Sequence, residues 1–273
     1  MLKKIFVALM IFLLPLKVSA ATQDISIDGY GGTLAATIQI PDGLAKFPLV
    51  IICHGFTGGK NEPLLKNLAD TLEKNDIASI RFDFNGHGES YGAFQSMTVP
   101  NEIEDLKRVY EFASKLDGVT TIGVAGHSQG GVVAGMFAGE FSAKKIRAIV
   151  LLAPAAVLRD DAIRGNLFGV RYDPLNPPEY IELKMPHKTF KLGRDYILAA
   201  QTLPIFETTE QFTGPALMIH GTGDVVVPYT YSLSYKKILR RGEVELVERA
   251  DHGFNGKQNH VAKSATEFFI KHL

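Results

Sequence analysis

The 273-residue chain has one cysteine, no excess of either charge, and no apolar run that reaches the roughly 20 residues of a comfortable membrane span. Each shortage removes a class of protein. A lone cysteine, Cys53, cannot close an internal disulfide, and its setting in the apolar run "PLVIICHG" marks a small core residue rather than a reactive thiol. Lys and Arg total 29 and Asp and Glu total 29, a balance that argues against a nucleic-acid surface, which depends on clustered basic charge. Internal repeats, low-complexity tracts and linkers are also missing, so the chain reads as one α/β domain, near the upper size for a single core.

What is present begins with a leader. Lys3 and Lys4 precede the short apolar stretch Ile5–Leu16, broken by Pro15, and "VSA" sets small side chains before Ala21, the pattern of a secretory signal peptide over residues 1–20. Cleavage is expected after Ala20, leaving residues 21–273 as a secreted or periplasmic protein without a membrane helix. Losing Lys3, Lys4 and Lys17 leaves 26 basic residues against 29 acidic ones. With no cysteine at the cleavage point, a lipid-modified N-terminus has no support.

Beyond the leader, short β-branched runs alternate with helical patterns, the arrangement of parallel strands joined by covering helices. "QDISID" and "TLAATIQI", linked through "GYGG", predict an antiparallel start. "PLVIIC", "IASIRFDF", "TTIGVAG", "IRAIVLLA", "PALMIH" and "VELVE" predict further strands, with helices around 62–74, 100–116, from 128, around 230–239 and from 257. In the second of these helices Ile103, Leu106, Tyr110 and Ala113 recur at three- and four-residue steps, so the charged remainder is expected to face water.

The sequence "GHSQGG", Gly126–Gly131, follows the strand "TTIGVA" and opens a helix. G-x-S-x-G at a strand-to-helix bend is the pattern of a nucleophile elbow: side chains at Gly126 or Gly130 would collide with neighbouring backbone, and without them the Ser128 hydroxyl stands clear at the sheet edge. The bland alternative is a glycine-rich helix start with a capping serine. A serine hydroxyl is a weak nucleophile, so the motif calls for a histidine base and a carboxylate to orient it, in the chain order Ser, acid, His. Of the late histidines, His260 and His272 lie in the amphipathic terminal helix, whereas His252 follows the strand "VELVE" directly in "ADHGF" and is the expected base. Asp224 follows the apolar strand in "ALMIHGTGDVVVP" and is the expected acid; Asp251 is the local rival. The turn "HGFTGGK" offers the Phe56 amide, beside that of Gln129, as oxyanion donors. His54, His127 and His220 suit loop-ordering hydrogen bonds. Asp83, His87 and Glu89 in "RFDFNGHGES" suit a tight loop better than a metal cluster, and neither metal nor cofactor is expected.

Taken together, "HGFTGGKNE", "RFDFNGHGES", "GHSQGG", "LLAPAA", "LPIFE", "HGTGD" and "ADHGF" resemble the α/β-hydrolase superfamily, and within it the bacterial cinnamoyl (feruloyl) esterases. The resemblance implies a mostly parallel sheet flanked by helices and cofactor-free hydrolysis of feruloyl, caffeoyl or p-coumaroyl esters, small or derived from plant cell wall. A general carboxylesterase or lipase, a serine peptidase, and a non-catalytic protein on the same scaffold are the other readings. The interruption between "LLAPAA" and "PALMIH", about 155–214, is too long for a plain connection and is expected to form a lid insertion after the sixth strand. Pro174, Pro177, Pro178 and Pro186 divide it. Its aromatic residues are expected mainly to pack the insertion onto the body. The resemblance aligns Tyr196 and Asp161 with family positions that contact the phenolic end of the acyl group. Asp160 is the neighbouring alternative to Asp161.

Overall fold

Strands buried on both faces, as continuous apolar runs demand, form the middle of the sheet, and half-exposed strands form its margins. A computed structural model describes residues 22–141, 145–185 and 188–273; the expected leader with its cleavage point, and Pro186, lie outside the described residues. The chain starts with β1 (Gln23–Asp28) and β2 (Thr33–Gln39), an antiparallel pair that matches Gln23 to Ile38 and Asp28 to Thr33. There follow β3 (Phe47–Cys53), α1 (Pro63–Glu73), β4 (Ala78–Phe82), α2 (Val99–Ala113), β5 (Val119–His127), α3 (Gln129–Phe141) and β6 (Ile149–Leu152). A long excursion then carries α4 (Val157–Arg164), β7 (Asn166–Leu167), β8 (Val170–Arg171), β9 (Tyr180–Lys184), β10 (Thr189–Gly193), α5 (Arg194–Thr202) and α6 (Ile205–Thr209). The chain returns to the sheet through β11 (Ala216–Gly221), α7 (Thr230–Ile238), β12 (Gly242–Val247) and α8 (Gln258–His272).

The eight-stranded sheet has the order β1-β2-β4-β3-β5-β6-β11-β12; β2 runs against both neighbours, and the pairings from β4 to β12 are parallel. The loops after β3, β5, β11 and β12 therefore leave one edge, where open α/β sheets assemble their sites. Two apolar clusters fill the two sides of the sheet: one lies under α1 and α8, and the other under α2, α3 and the excursion. No helix among the described residues is long and apolar enough to cross a membrane.

One departure from the sequence pattern has a physical cause. In α2, Glu102 and Asp105 are buried instead of facing water. Asp105 accepts the main-chain N–H groups of Tyr30 and Asn85, each at 2.9 Å, and so ties the β1–β2 turn to the loop after β4. Glu102 accepts a hydrogen bond from the Gln129 side chain. The excursion, in turn, is two small hairpins and three short helices, with Phe190 against Phe94 at 4.6 Å between ring centres and Phe206 against Tyr235 at 5.0 Å.

Helix α3 is buried from Gln129 to Ala138, so its small residues set how closely α6 can lie. A Cβ on Gly139 would sit 1.9 Å from the Thr208 carbonyl oxygen. Glycine-to-alanine in a helix ordinarily stabilises by about 1 kcal/mol. Here overpacking against backbone outweighs that gain, and Gly139→Ala is expected to destabilise by about 1–3 kcal/mol in urea unfolding. An unfolding midpoint at or above that of the parent protein would contradict this contact.

Candidate active site

The bend between β5 and α3 is fixed by backbone meeting backbone. A Cβ on Gly126 would lie 2.1 Å from the Gly130 carbonyl oxygen, and one on Gly130 would lie 2.3 Å from that of His54. Ser128 adopts φ 55°, a left-handed conformation that costs an L-residue about 1–2 kcal/mol. Main-chain hydrogen bonds hold it there: its N–H donates to Leu152 O at 2.8 Å, and its carbonyl accepts from Gly131 and Ala155, each at 3.0 Å. The loop after β3 comes so close that a Cβ on Gly55 would be 3.0 Å from the Ser128 Cβ.

The loops after β11 and β12 bring Asp224 and His252 to this serine. His252 Nε2 lies 2.8 Å from Ser128 Oγ, and His252 Nδ1 lies 2.7 Å from Asp224 Oδ2. The carboxylate can only accept, so Nδ1 carries the proton and Nε2 is free to accept the serine proton. Asp224 Oδ1 takes the N–H groups of Val226 at 2.8 Å and Val227 at 2.9 Å. Burial alone would raise its pKa, but hydrogen bonds from His220, His252 and the Val227 amide outweigh burial and hold the carboxyl well below the usual range.

His220 supplies a second support, one that loop ordering alone does not describe. Its Nε2 faces both Val227 O at 2.9 Å and Asp224 Oδ2 at 3.2 Å, so this nitrogen donates; Nδ1 accepts from Ser232 Oγ at 2.7 Å. The four-residue spacing in "HGTGD" carried this signal, but the Ser232 contact needs α7 folded beside β11. Asp251 is occupied elsewhere, accepting from the Asn255 N–H and side-chain amide, each at 2.8 Å.

Two other histidines are tied to carbonyls. His54 Nδ1 donates to Gly55 O at 2.8 Å while Nε2 accepts the Phe84 N–H at 3.0 Å, and burial lowers its pKa to about 4. His127 Nε2 donates to the His252 carbonyl at 2.9 Å, and burial likewise lowers its pKa to about 4. Asp83 is spent on its own loop, accepting the N–H groups of Lys60 at 2.6 Å and Glu89 at 3.0 Å.

A cavity of about 490 Å³ opens beside Ser128 and His252. Its lining includes Phe56, Gln129, Asp161, Phe168, Tyr196 and Val226. The N–H groups of Phe56 and Gln129 are given to no acceptor among the described residues. Asp161 lines the cavity, whereas Asp160 accepts from the Tyr231 hydroxyl and links α4 to α7. Phe168 stacks on Phe56 at 4.8 Å while half its surface is exposed, so it forms an outer wall that pattern alone could not assign. Tyr196 is buried, and its hydroxyl donates to Gln129 Oε1 at 2.7 Å; Gln129 Nε2 donates to Glu102 Oε2 at 2.9 Å. Burial raises the Glu102 carboxyl well above the usual range, with the Gln129 hydrogen bond opposing. One side-chain relay thus joins the cavity wall to the residue after the serine.

The family described as serine aminopeptidase, S33, matches residues 46–174. A structure of Est1E from Butyrivibrio proteoclasticus with ferulic acid bound is 33% identical over 91% of this chain and 98% of its own, with a TM-score of 0.86. A second structure of Est1E is 30% identical over the same shares, with a TM-score of 0.82. An uncharacterised 31.7 kDa protein of Escherichia coli, from the traX-finO intergenic region, is 37% identical over 100 residues. That stretch is 36% of this chain and spans only 35% of the relative's length. With the Est1E likeness covering 91% of this chain at 33% identity, the chain belongs to the α/β-hydrolase superfamily, in its cinnamoyl esterase branch, and is a serine hydrolase of the esterase type.

Proposed function

We propose that the protein hydrolyses esters of hydroxycinnamic acids such as ferulate, caffeate and p-coumarate, through an acyl-enzyme on Ser128. The observation that carries this reading is the unbroken chain Asp224–His252–Ser128 at the mouth of a cavity that contains a carboxylate, Asp161. The likeness to a structure holding ferulic acid supports the acyl class. Export on the N-terminal leader belongs to the same proposal.

In this mechanism Ser128 Oγ attacks the ester carbonyl as His252 Nε2 takes its proton, and the amides of Phe56 and Gln129 receive the oxyanion. Collapse expels the alcohol, protonated by His252. Water then gives its proton to His252 and attacks the acyl-enzyme, and the returning proton restores Ser128 as the acid leaves. Asp224 keeps the imidazole in the tautomer this cycle needs. An acyl group with a ring hydroxyl loses about 1–3 kcal/mol if that hydroxyl is buried unpaired, which makes Asp161 the natural acceptor.

The serine aminopeptidase description of the matched family supports a second reading, in which Asp161 would meet an α-ammonium group. Faster turnover of amino-acid amides than of methyl ferulate would favour it.

Ser128→Ala and His252→Ala are each expected to lower ester turnover by about 10⁴-fold or more with the fold intact, as measured by steady-state kinetics and circular dichroism. A folded Ser128→Ala protein with wild-type turnover would sink the assignment. Asp161→Ala should reduce turnover of ferulate and caffeate esters about tenfold while sparing cinnamate esters that lack ring hydroxyls. Equal losses on both would restrict Asp161 to a structural part. Tyr196→Phe is a blunter probe, because it also releases Gln129, and is expected to slow both ester classes.

A further inference from the structure

His127 stands between two loops with one nitrogen unexplained. Its Nε2 donates to the main-chain carbonyl of His252, so in the neutral ring Nδ1 is a bare acceptor. That Nδ1 is buried and has no hydrogen-bond partner among the described residues. The facing group is Glu62, whose Oε2 lies 4.0 Å away, about 1 Å beyond hydrogen-bonding range. Glu62 ends the loop that begins at Gly55 and carries Phe56, and it immediately precedes α1. Its carboxyl reaches back over that loop: a Cβ on Gly58 would be 2.0 Å from Glu62 Oε1.

A carboxylate opposite a bare nitrogen sets lone pair against lone pair. A carboxylic acid in the same place donates. Resting on the assignment of His252 as the base, we infer that Glu62, when protonated, closes this gap to donate a hydrogen bond to His127 Nδ1 and is a positioning residue: the His127 ring then clamps the loop carrying His252 to the loop carrying the oxyanion amide. The link runs Glu62 O–H to Nδ1, then Nε2–H to the His252 carbonyl. It holds the backbone of the base through the His252 carbonyl, while the His127 ring lies beside the imidazole, ring centres 4.9 Å apart.

The surroundings favour the protonated acid near neutral pH. Partial burial pushes the Glu62 carboxyl up to about 7, and Asp83 adds to the rise; the Gly59 N–H opposes it, as does His252 whenever its imidazole is protonated. His127 stays the acceptor because burial, His252 and His220 lower its pKa, while the His252 carbonyl bond and Asp224 act the other way. The nearby Lys60 ammonium is engaged by Glu89. Since the folded pKa of Glu62 is raised, the clamp is present below about 7 and is lost as pH rises through that value.

Two substitutions in the full-length protein test the clamp. Glu62→Ala removes the donor and is expected to lower kcat about tenfold, the size of one hydrogen bond, with KM little changed. Glu62→Gln keeps an N–H donor at every pH and should recover most of that loss. The ratio of wild-type to Glu62→Gln kcat should then fall through a single titration near 7, where Glu62 gives up its proton. Wild-type kcat in Glu62→Ala, a Gln variant as slow as the Ala variant, or a pH-independent ratio would each overturn the inference. Labelling of Ser128 by a fluorophosphonate separates the two readings. If the wild-type serine fails to react, the assignment of His252 as base fails; if it reacts and Glu62→Ala turns over normally, only the clamp fails.

Discussion

Everything at the sheet edge depends on how closely three stretches of backbone meet behind Ser128. The Gly126–Gly130 contact and the Gly130–His54 contact leave no room for a single carbon atom, so the strand, the helix and the preceding loop are locked to one another. This closeness forces Ser128 into a left-handed conformation, and hydrogen bonds from Gly131 and Ala155 and to Leu152 keep it there. Strain of this kind persists only where the surroundings over-determine it. Here they also bring the amide of Gln129 and the loop bearing Phe56 to the same hydroxyl.

The second organising feature is a buried charge with every lone pair addressed. An unpaired carboxylate at the position of Asp224 would be costly to bury, and the chain meets that cost with two main-chain N–H groups and two imidazoles. His220 is itself fixed by Ser232 and Val227, so the carboxylate has little freedom to turn. His54 and His127 are held neutral by burial and tied to carbonyls. His252, by contrast, keeps its side chain partly exposed at the cavity.

The excursion between β6 and β11 supplies the other side of the cavity. It does so through α4, which offers Asp161 inward and spends Asp160 on Tyr231, and through α5, whose Tyr196 reaches Gln129. The cavity wall and the residue that follows Ser128 are therefore joined by hydrogen bonds. A change in either is transmitted through Glu102, Gln129 and Tyr196, three buried side chains joined in one hydrogen-bonded line.

The order of strands and helices was legible because it is written in local periodicity and in glycines whose absent side chains matter. The chain positions of Ser128, Asp224 and His252 followed from the same logic, each standing just beyond an apolar strand. What pattern could not supply was the partner of each buried polar group. Glu102 and Asp105 look like solvent-facing members of an amphipathic helix until the β1–β2 turn, the loop after β4 and α3 close over them. Asp160 and Asp161 are indistinguishable in "RDDAIRGN", and only the packing of α4 against α7 sends one to Tyr231 and leaves the other at the cavity. Glu62 and His127 are 65 residues apart in the sequence and 4.0 Å apart in the fold. Sequence by itself determined the elements and the residues capable of chemistry, since propensity, capping and backbone sterics act within a few residues. Tertiary structure decided which of those residues are neutral, which are charged and which touch, since burial and hydrogen bonding depend on neighbours the chain meets only after it folds.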